Sequence, residues 1–194
     1  MAESVRRRAT YADLEAVPEN LVAEIIDGSL ETHPRPHPLH GTAGGFLLGE
    51  LIPPFGKGRG GPGGWIIMIE PELHFGENVV VPDLAGWRRE RLPSSPVAPF
   101  ITIAPDWVCE ILSPSTARLD RGAKRRIYAE AGVQYLWLLD PDARELEAFV
   151  LAGRQWLLLA TVQEGEAVSI PPFDAISFPL NDLFPFDKPA SPEA

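Results

Sequence analysis

The chain has 194 residues and a formal charge of −10, with 45% hydrophobic and 23% charged residues. That size and composition suit one folded domain with a full core and argue against extensive disorder. A single cysteine, Cys109, excludes an internal disulfide and a cysteine-based zinc cage. No apolar run approaches the roughly 18 residues a membrane span needs, and basic Met1–Arg8 is followed by no apolar stretch, so a cytoplasmic protein is expected. Net acidity disfavours general coating of nucleic acid, yet Arg118, Arg121, Lys124, Arg125 and Arg126 form a local cationic cluster, and bound divalent metal would offset clustered carboxylates.

Thr10 ahead of Tyr11-Ala12-Asp13-Leu14-Glu15 predicts a short capped helix. Ala23–Ile26, Asp27-Gly28 and Ser29–His33 read as a β-hairpin, because Asp-Gly supplies positive φ angles at a tight turn. Pro34, Pro36 and Pro38 keep the chain extended, and a helix follows from about His40, carrying Leu47, Leu48, Leu51 and Ile52 to a stop at Pro53-Pro54. Residues 56–64 hold six glycines and predict a mobile loop that runs into a strand rather than a helix, unlike a phosphate-binding loop.

Strands are expected at Trp65–Ile69, Glu72–Phe75, Val79–Trp87, Phe100–Ala104 and Trp107–Leu112, with a proline-rich surface loop over 93–99. Ala117–Ala131 reads as a helix ended by Gly132, and Gln134–Leu139 as a strand, which together give a β-helix-β crossover. Glu145–Leu151 and Gln155–Val162 form a further pair around Gly153, a short piece lies near Ala167–Ile170, and the tail frays from Pro185. No internal repeat is evident, so the expectation is one α+β domain over 1–194, ordered from about 10 to 184.

Two carboxylates sit inside apolar strand patterns, Asp83 in Val79–Ala85 and Glu110 in Trp107–Leu112. An unpaired buried carboxylate needs a cation, a metal or a proton. If the strands adjoin, both acids can bind Mg2+ or Mn2+ through hard oxygens; otherwise Asp83 caps a turn and Glu110 pairs with an arginine. Asp120, Lys124 and Tyr128 share a helix face at i, i+4 and i+8, so Lys124, one of only three lysines, can reach over the acids.

The series Ala23-Glu24-Ile25-Ile26-Asp27-Gly28, His40, Val81-Pro82-Asp83-Leu84, Val108 through Thr116, Asp120 with Lys124 and Tyr128, and Gly132 through Pro141 resembles the Uma-two family, a bacterial group in the PD-(D/E)XK, restriction-endonuclease-like superfamily. The resemblance implies a mixed β-sheet core flanked by helices, an N-terminal β-hairpin, and a Mg2+- or Mn2+-dependent endonuclease acting on DNA. Asp83 matches the acid of the Pro-Asp motif and Glu110 the second acid. The lysine normally two residues further on is replaced by Leu112, with Lys124 as its migrated substitute. Glu24 matches an additional metal-binding acid, and His40 the family's histidine at a helix start. Arg121, Arg125, Tyr128 and His40 are the expected substrate-contacting side chains. A homodimer would allow both strands to be cut. The alternative is a non-catalytic interaction module or dimerising scaffold, favoured by the net acidity and the displaced lysine. A nucleophilic hydrolase is disfavoured, since Cys109 is in an apolar strand and Ser113-Pro114-Ser115 lacks a nucleophile elbow.

Overall fold

The computed structural model describes residues 7–34 and 37–186. Met1–Arg6, Pro36 and the tail beyond residue 186 lie outside the described residues. Helix α1 (Tyr11–Glu15) opens the chain, with the Thr10 backbone N–H and hydroxyl both donating to Asp13 Oδ2 at 2.7 Å. Strands β1 (Leu21–Ile26) and β2 (Ser29–Pro34) form the hairpin, and Asp27 and Gly28 take φ of 53° and 79° at its turn.

Helix α2 (Pro38–Leu51) does not stop at the Pro53-Pro54 pair but continues through a π-turn, Ile52–Gly56. The prolines stand where the ladder widens: neither offers an N–H, and the next bond runs from the Lys57 N–H five residues back to the Ile52 carbonyl at 2.9 Å. The glycine loop that follows is tied to this turn by Arg59 N–H and Gly63 N–H, which donate at 2.8 Å to the carbonyls of Pro53 and Pro54.

Strands β3 (Trp65–Ile69), β4 (Leu73–Phe75), β5 (Asn78–Val80), β6 (Leu84–Arg88) and β7 (Trp107–Ile111) follow. The continuous strand expected over Val79–Trp87 is two strands in two sheets. Pro82 has no N–H to extend a ladder, and the chain leaves one sheet at Val80 and enters the other at Leu84. The expected strand at Phe100–Ala104 reduces to one bridge between Ile101 and Leu73, since the prolines around it leave no room for an extended ladder.

The helical path from Ala117 to Ala131 comprises α3 (Ala117–Leu119), a π-turn over Asp120–Lys124, and α4 (Arg125–Ala131), with Gly132 at φ 82° closing it. Strands β8 (Tyr135–Asp140), β9 (Glu145–Ala152) and β10 (Gln155–Gln163) complete the larger sheet, and β11 (Ala167–Val168) pairs with β12 (Phe178–Pro179).

The six-stranded sheet has the order β10-β9-β8-β7-β6-β3, and its one parallel pair is β7 with β8, as a helical crossover between them requires. A four-stranded antiparallel sheet runs β2-β1-β5-β4. The mixed sheets with few helices make this an α+β fold. Alternation along β7 and β8 divides the core in two. Trp107, Cys109, Ile111, Trp137 and Leu139 pack with Leu47 and Leu51 of α2, while Val108, Leu112, Leu136 and Leu138 pack with Ile127 and Tyr128 of α4. On the first side Phe173 lies 4.7–5.6 Å from the rings of Phe55, Trp65, Trp107 and Trp137. Glu110, between Val108 and Leu112, faces α4.

Candidate active site

The crossing from β5 to β6 lays residues 81–83 beside the C-terminal half of β7. Two hydrogen bonds tie Asp83 to the Glu110-Ile111 segment there. The Ile111 N–H donates to Asp83 Oδ2 at 2.7 Å, and the Asp83 N–H donates to Glu110 Oε2 at 3.4 Å. The two acids, 27 residues apart in sequence, therefore occupy one place, fixed by backbone rather than by flexible side chains.

Lys124 is 3% exposed. Its Nζ lies 2.9 Å from Glu110 Oε1, 3.1 Å from Glu24 Oε1, 3.4 Å from Asp120 Oδ1 and 3.5 Å from the Val81 carbonyl. The π-turn places Asp120 and Lys124 in the interior together. Glu24 is delivered by the hairpin, where it also accepts from the Val81 N–H at 2.7 Å, so the β5–β6 crossing is held by both the acid and the lysine. Tyr128, fully buried, donates its hydroxyl to Glu110 Oε1.

Two histidines border the cluster. His40, near the start of α2, has Nε2 3.2 Å from Asp83 Oδ1, and His33 has Nε2 3.7 Å from Glu24 Oε2. A cavity of about 460 Å3 opens over these groups, with Glu24, His33, His40, Asp83, Glu110, Asp120 and Lys124 in its wall and Ser113, Ser115 and Thr116 along its rim.

The charge balance decides the local protonation. Glu24, Glu110 and Asp120 face one lysine, and Asp83 stands beside Glu110. Burial pushes the Glu110 carboxyl well up, and its neighbours Asp120, Asp83 and Glu24 add to this against the pull of Lys124. Burial likewise raises Asp120. Burial also opposes ionisation of Glu24, yet Lys124, His33 and the Val81 N–H together hold its carboxyl below the usual range. The Lys124 ammonium is held well above its ordinary value: desolvation works against it, but Glu110 and Glu24 outweigh that cost. His33 is raised first by Glu24, and His40 by Asp83 in spite of its burial.

These oxygens suit a hard divalent cation in chemistry and in charge, because an added positive charge relieves a cluster in which carboxylates outnumber ammonium groups. Among the described residues, however, no three His, Cys, Asp or Glu side chains converge on one point as a ready-made cage. A Mg2+-type site needs no such cage, since it commonly uses one or two carboxylates and completes its shell with water and substrate phosphate. Asp83 and Glu110 are the acids that adjoin each other in the cavity wall. In all three acids both oxygens already have protein partners: Lys124, the Val81 N–H and His33 for Glu24, the Ile111 N–H and His40 for Asp83, and Lys124, Tyr128 and the Asp83 N–H for Glu110.

The structure thus brings Glu24, Asp83, Glu110, Lys124 and His40 into one cavity wall, and leaves three expected residues elsewhere. Tyr128 lies under Glu110 with no exposed surface. Arg121 and Arg125 border a different depression, with Arg121 paired to Glu147 and Arg125 placed over the Phe149 ring at 4.2 Å. Sequence reasoning did not single out His33. The two-residue turn would have supplied it, since that register pairs Glu24 with Glu31 and Val22 with His33, putting Glu24 and His33 on one face as diagonal neighbours.

The Uma2 family model, described as "Putative restriction endonuclease", matches residues 8–181. A crystal structure similar to this chain is that of a "putative nuclease belonging to DUF820" from Anabaena variabilis, with a TM-score of 0.72 and 24% identity over 91% of this chain and 97% of that one. At that identity the likeness concerns the fold. No curated protein matches the chain.

Proposed function

Since the chain belongs to the Uma2 family, whose model spans residues 8–181, we propose that it is a divalent-metal-dependent endonuclease hydrolysing DNA phosphodiester bonds. The observation that carries this reading is the juxtaposition of Asp83 and Glu110, held by the Ile111 N–H on Asp83 and the Asp83 N–H on Glu110, next to a buried lysine 2.9 Å from Glu110. Asp83 and Glu110 would hold Mg2+ or Mn2+, which supplies Lewis-acid stabilisation of phosphoryl oxygens and lowers the pKa of the attacking water.

The chain's own groups do the rest. Tyr128 fixes the Glu110 carboxylate by its hydroxyl, and His40 fixes the Asp83 oxygen it faces. Lys124, already charged and desolvated, stabilises negative charge that develops on the attacking water or the phosphoryl group, an effect worth a few kcal/mol when the donor is preorganised. Glu24 and Asp120 keep the ammonium in place.

The test is nicking of supercoiled plasmid with Mg2+ or Mn2+, abolished by EDTA, by Asp83→Ala and by Lys124→Ala. Cutting that persists in both variants refutes the assignment. A second reading, a non-catalytic scaffold that keeps the fold, is favoured by the fact that Lys124 Nζ already faces three carboxylates and a carbonyl. It predicts no metal-dependent cleavage by the wild-type chain.

A further inference from the structure

Because Asp120 and Lys124 turn into the cleft, their neighbours Arg121 and Arg125 are carried onto the adjoining side of the same helical segment. There they border a second depression, of about 420 Å3, together with Arg126, Arg154 and Trp156. Its parts are held in place. The Arg125 guanidinium sits over the Phe149 ring at 4.2 Å, and the half-buried Trp156 indole N–H donates to the Arg125 carbonyl at 2.8 Å. Arg121 is paired with Glu147, and Arg126 with Asp27 at 2.6 Å and Glu130 at 3.2 Å. Among the described residues neither Arg125 nor Arg154 has a carboxylate within ion-pair distance, although Glu147 acts on Arg125 from further off, so these two guanidiniums keep the most charge to offer an external anion. In a chain of net charge −10 this concentration of cations is a local exception.

We propose that this depression docks the phosphate backbone of the nucleic acid, with Arg125 and Arg154 contacting phosphates and Trp156 offering a face for a base. The inference rests on the reading of the cleft as a nuclease site for the identity of the polyanion. Geometry favours it. The helical segment that carries Lys124 and Arg125 lines both cleft and depression, and a helix with its side chains is about 10–12 Å across. Phosphates recur every ~3.4 Å of axis along each strand of a duplex, which puts further phosphates of a strand seated in the cleft at that reach. An arginine patch with an aromatic face is also the combination that binds nucleic acid without reading its sequence.

The experiment uses the full chain in EDTA, so that binding is separated from cutting. Fluorescence anisotropy of a labelled single strand and of the corresponding duplex is followed over a salt series. Arg125→Glu combined with Arg154→Glu is expected to weaken binding by roughly tenfold or more and to reduce the slope of log K against log salt by about 1–2. Should the double variant not fold, Arg154→Glu alone, at an exposed turn, carries the test with a slope change of about 1. Wild-type affinity and slope in a folded variant overturn the proposal. So does a wild-type chain that binds neither form, or a patch that proves to bind an acidic polypeptide and not DNA. Loss of binding in the variants of a chain that cuts nothing supports the docking site and sinks the hydrolytic reading. Cutting with an unchanged slope does the reverse.

Discussion

Replacement of Lys124 by methionine is the sharpest perturbation of the cluster, because it removes the cation and keeps most of the volume. Nζ sits 2.9, 3.1 and 3.4 Å from oxygens of Glu110, Glu24 and Asp120. At an effective dielectric constant near 20, each such pair contributes roughly 4–6 kcal/mol of attraction before desolvation is subtracted. Removing one partner from a buried ionic group typically costs about 3–5 kcal/mol, since the partners left behind cannot recover their hydration. For a chain of this size about 2–4 °C of melting temperature accompanies each kcal/mol, so Lys124→Met should lower Tm by about 6–20 °C.

The loss should also depend on pH in a defined direction. Glu110 already has its carboxyl pushed well up by burial and by neighbouring acids, and Lys124 is the group that pulls it back. Without that lysine its folded value rises further above the unfolded one. A carboxyl raised in this way contributes stability below its unfolded pKa and loses it as pH rises through the folded pKa. The deficit of the variant is therefore larger at pH 8 than at pH 5. Thermal unfolding in EDTA, followed by circular dichroism at both values, measures this. A deficit under about 1 kcal/mol at pH 8, or one that grows on acidification, refutes the view of Lys124 as the charge keystone of the site.

Combining Lys124→Met with Glu110→Gln should cost less than the sum of the single changes, with a coupling of about 1–3 kcal/mol in a double-mutant cycle of urea melts. Tyr128→Phe should lower kcat and leave KM unaltered, because the hydroxyl acts on Glu110 from beneath and has no exposed surface; a rise in KM would place it against substrate. Asp83→Asn keeps an oxygen for the Ile111 N–H and should melt within about 1 kcal/mol of wild type, while calorimetric titration shows Mn2+ binding weakened by roughly tenfold or more. Gly86→Ala should destabilise by about 1–3 kcal/mol, since the added Cβ would meet the buried rings of Trp107 and Trp65 at 3.2 and 3.3 Å.

Elements whose signal is local were legible from the sequence. The hairpin needed only Asp27-Gly28 between extended segments, and the pairing of β7 with β8 needed only a strand, a helix and a strand of the right lengths. The features that failed depend on partners remote in sequence. Val79–Trp87 carries a nearly continuous apolar pattern whether it is one strand or two, and only the presence of separate sheets on either side of Pro82 distinguishes these cases. Phe100–Ala104 has strand-like composition, but its one neighbour is Leu73, and a single bridge does not make a ladder. Tyr128 and Lys124 share a helix face, as their spacing says, yet spacing cannot tell which of the two faces the cavity and which lies sealed beneath Glu110.

The break at Pro82 is also what makes the site. Had the chain stayed in one sheet from Val79 to Trp87, Asp83 would have continued a ladder with its backbone satisfied by a neighbouring strand. Leaving one sheet before entering the other exposes the backbone of residues 81–83 between them, and three of its polar groups are taken up by site residues, while the Asp83 carbonyl accepts from the Glu70 N–H at 3.0 Å. Val81 N–H goes to Glu24, the Val81 carbonyl faces Lys124, and Asp83 N–H goes to Glu110. The acids and the lysine thus serve two purposes: they satisfy a strand crossing that would otherwise bury unpaired polar groups, and they present charge to the cavity. Substitution at Glu24 should therefore loosen the crossing and displace Asp83 together with it, a displacement that amide hydrogen exchange at Val81 and Asp83 would report as lost protection.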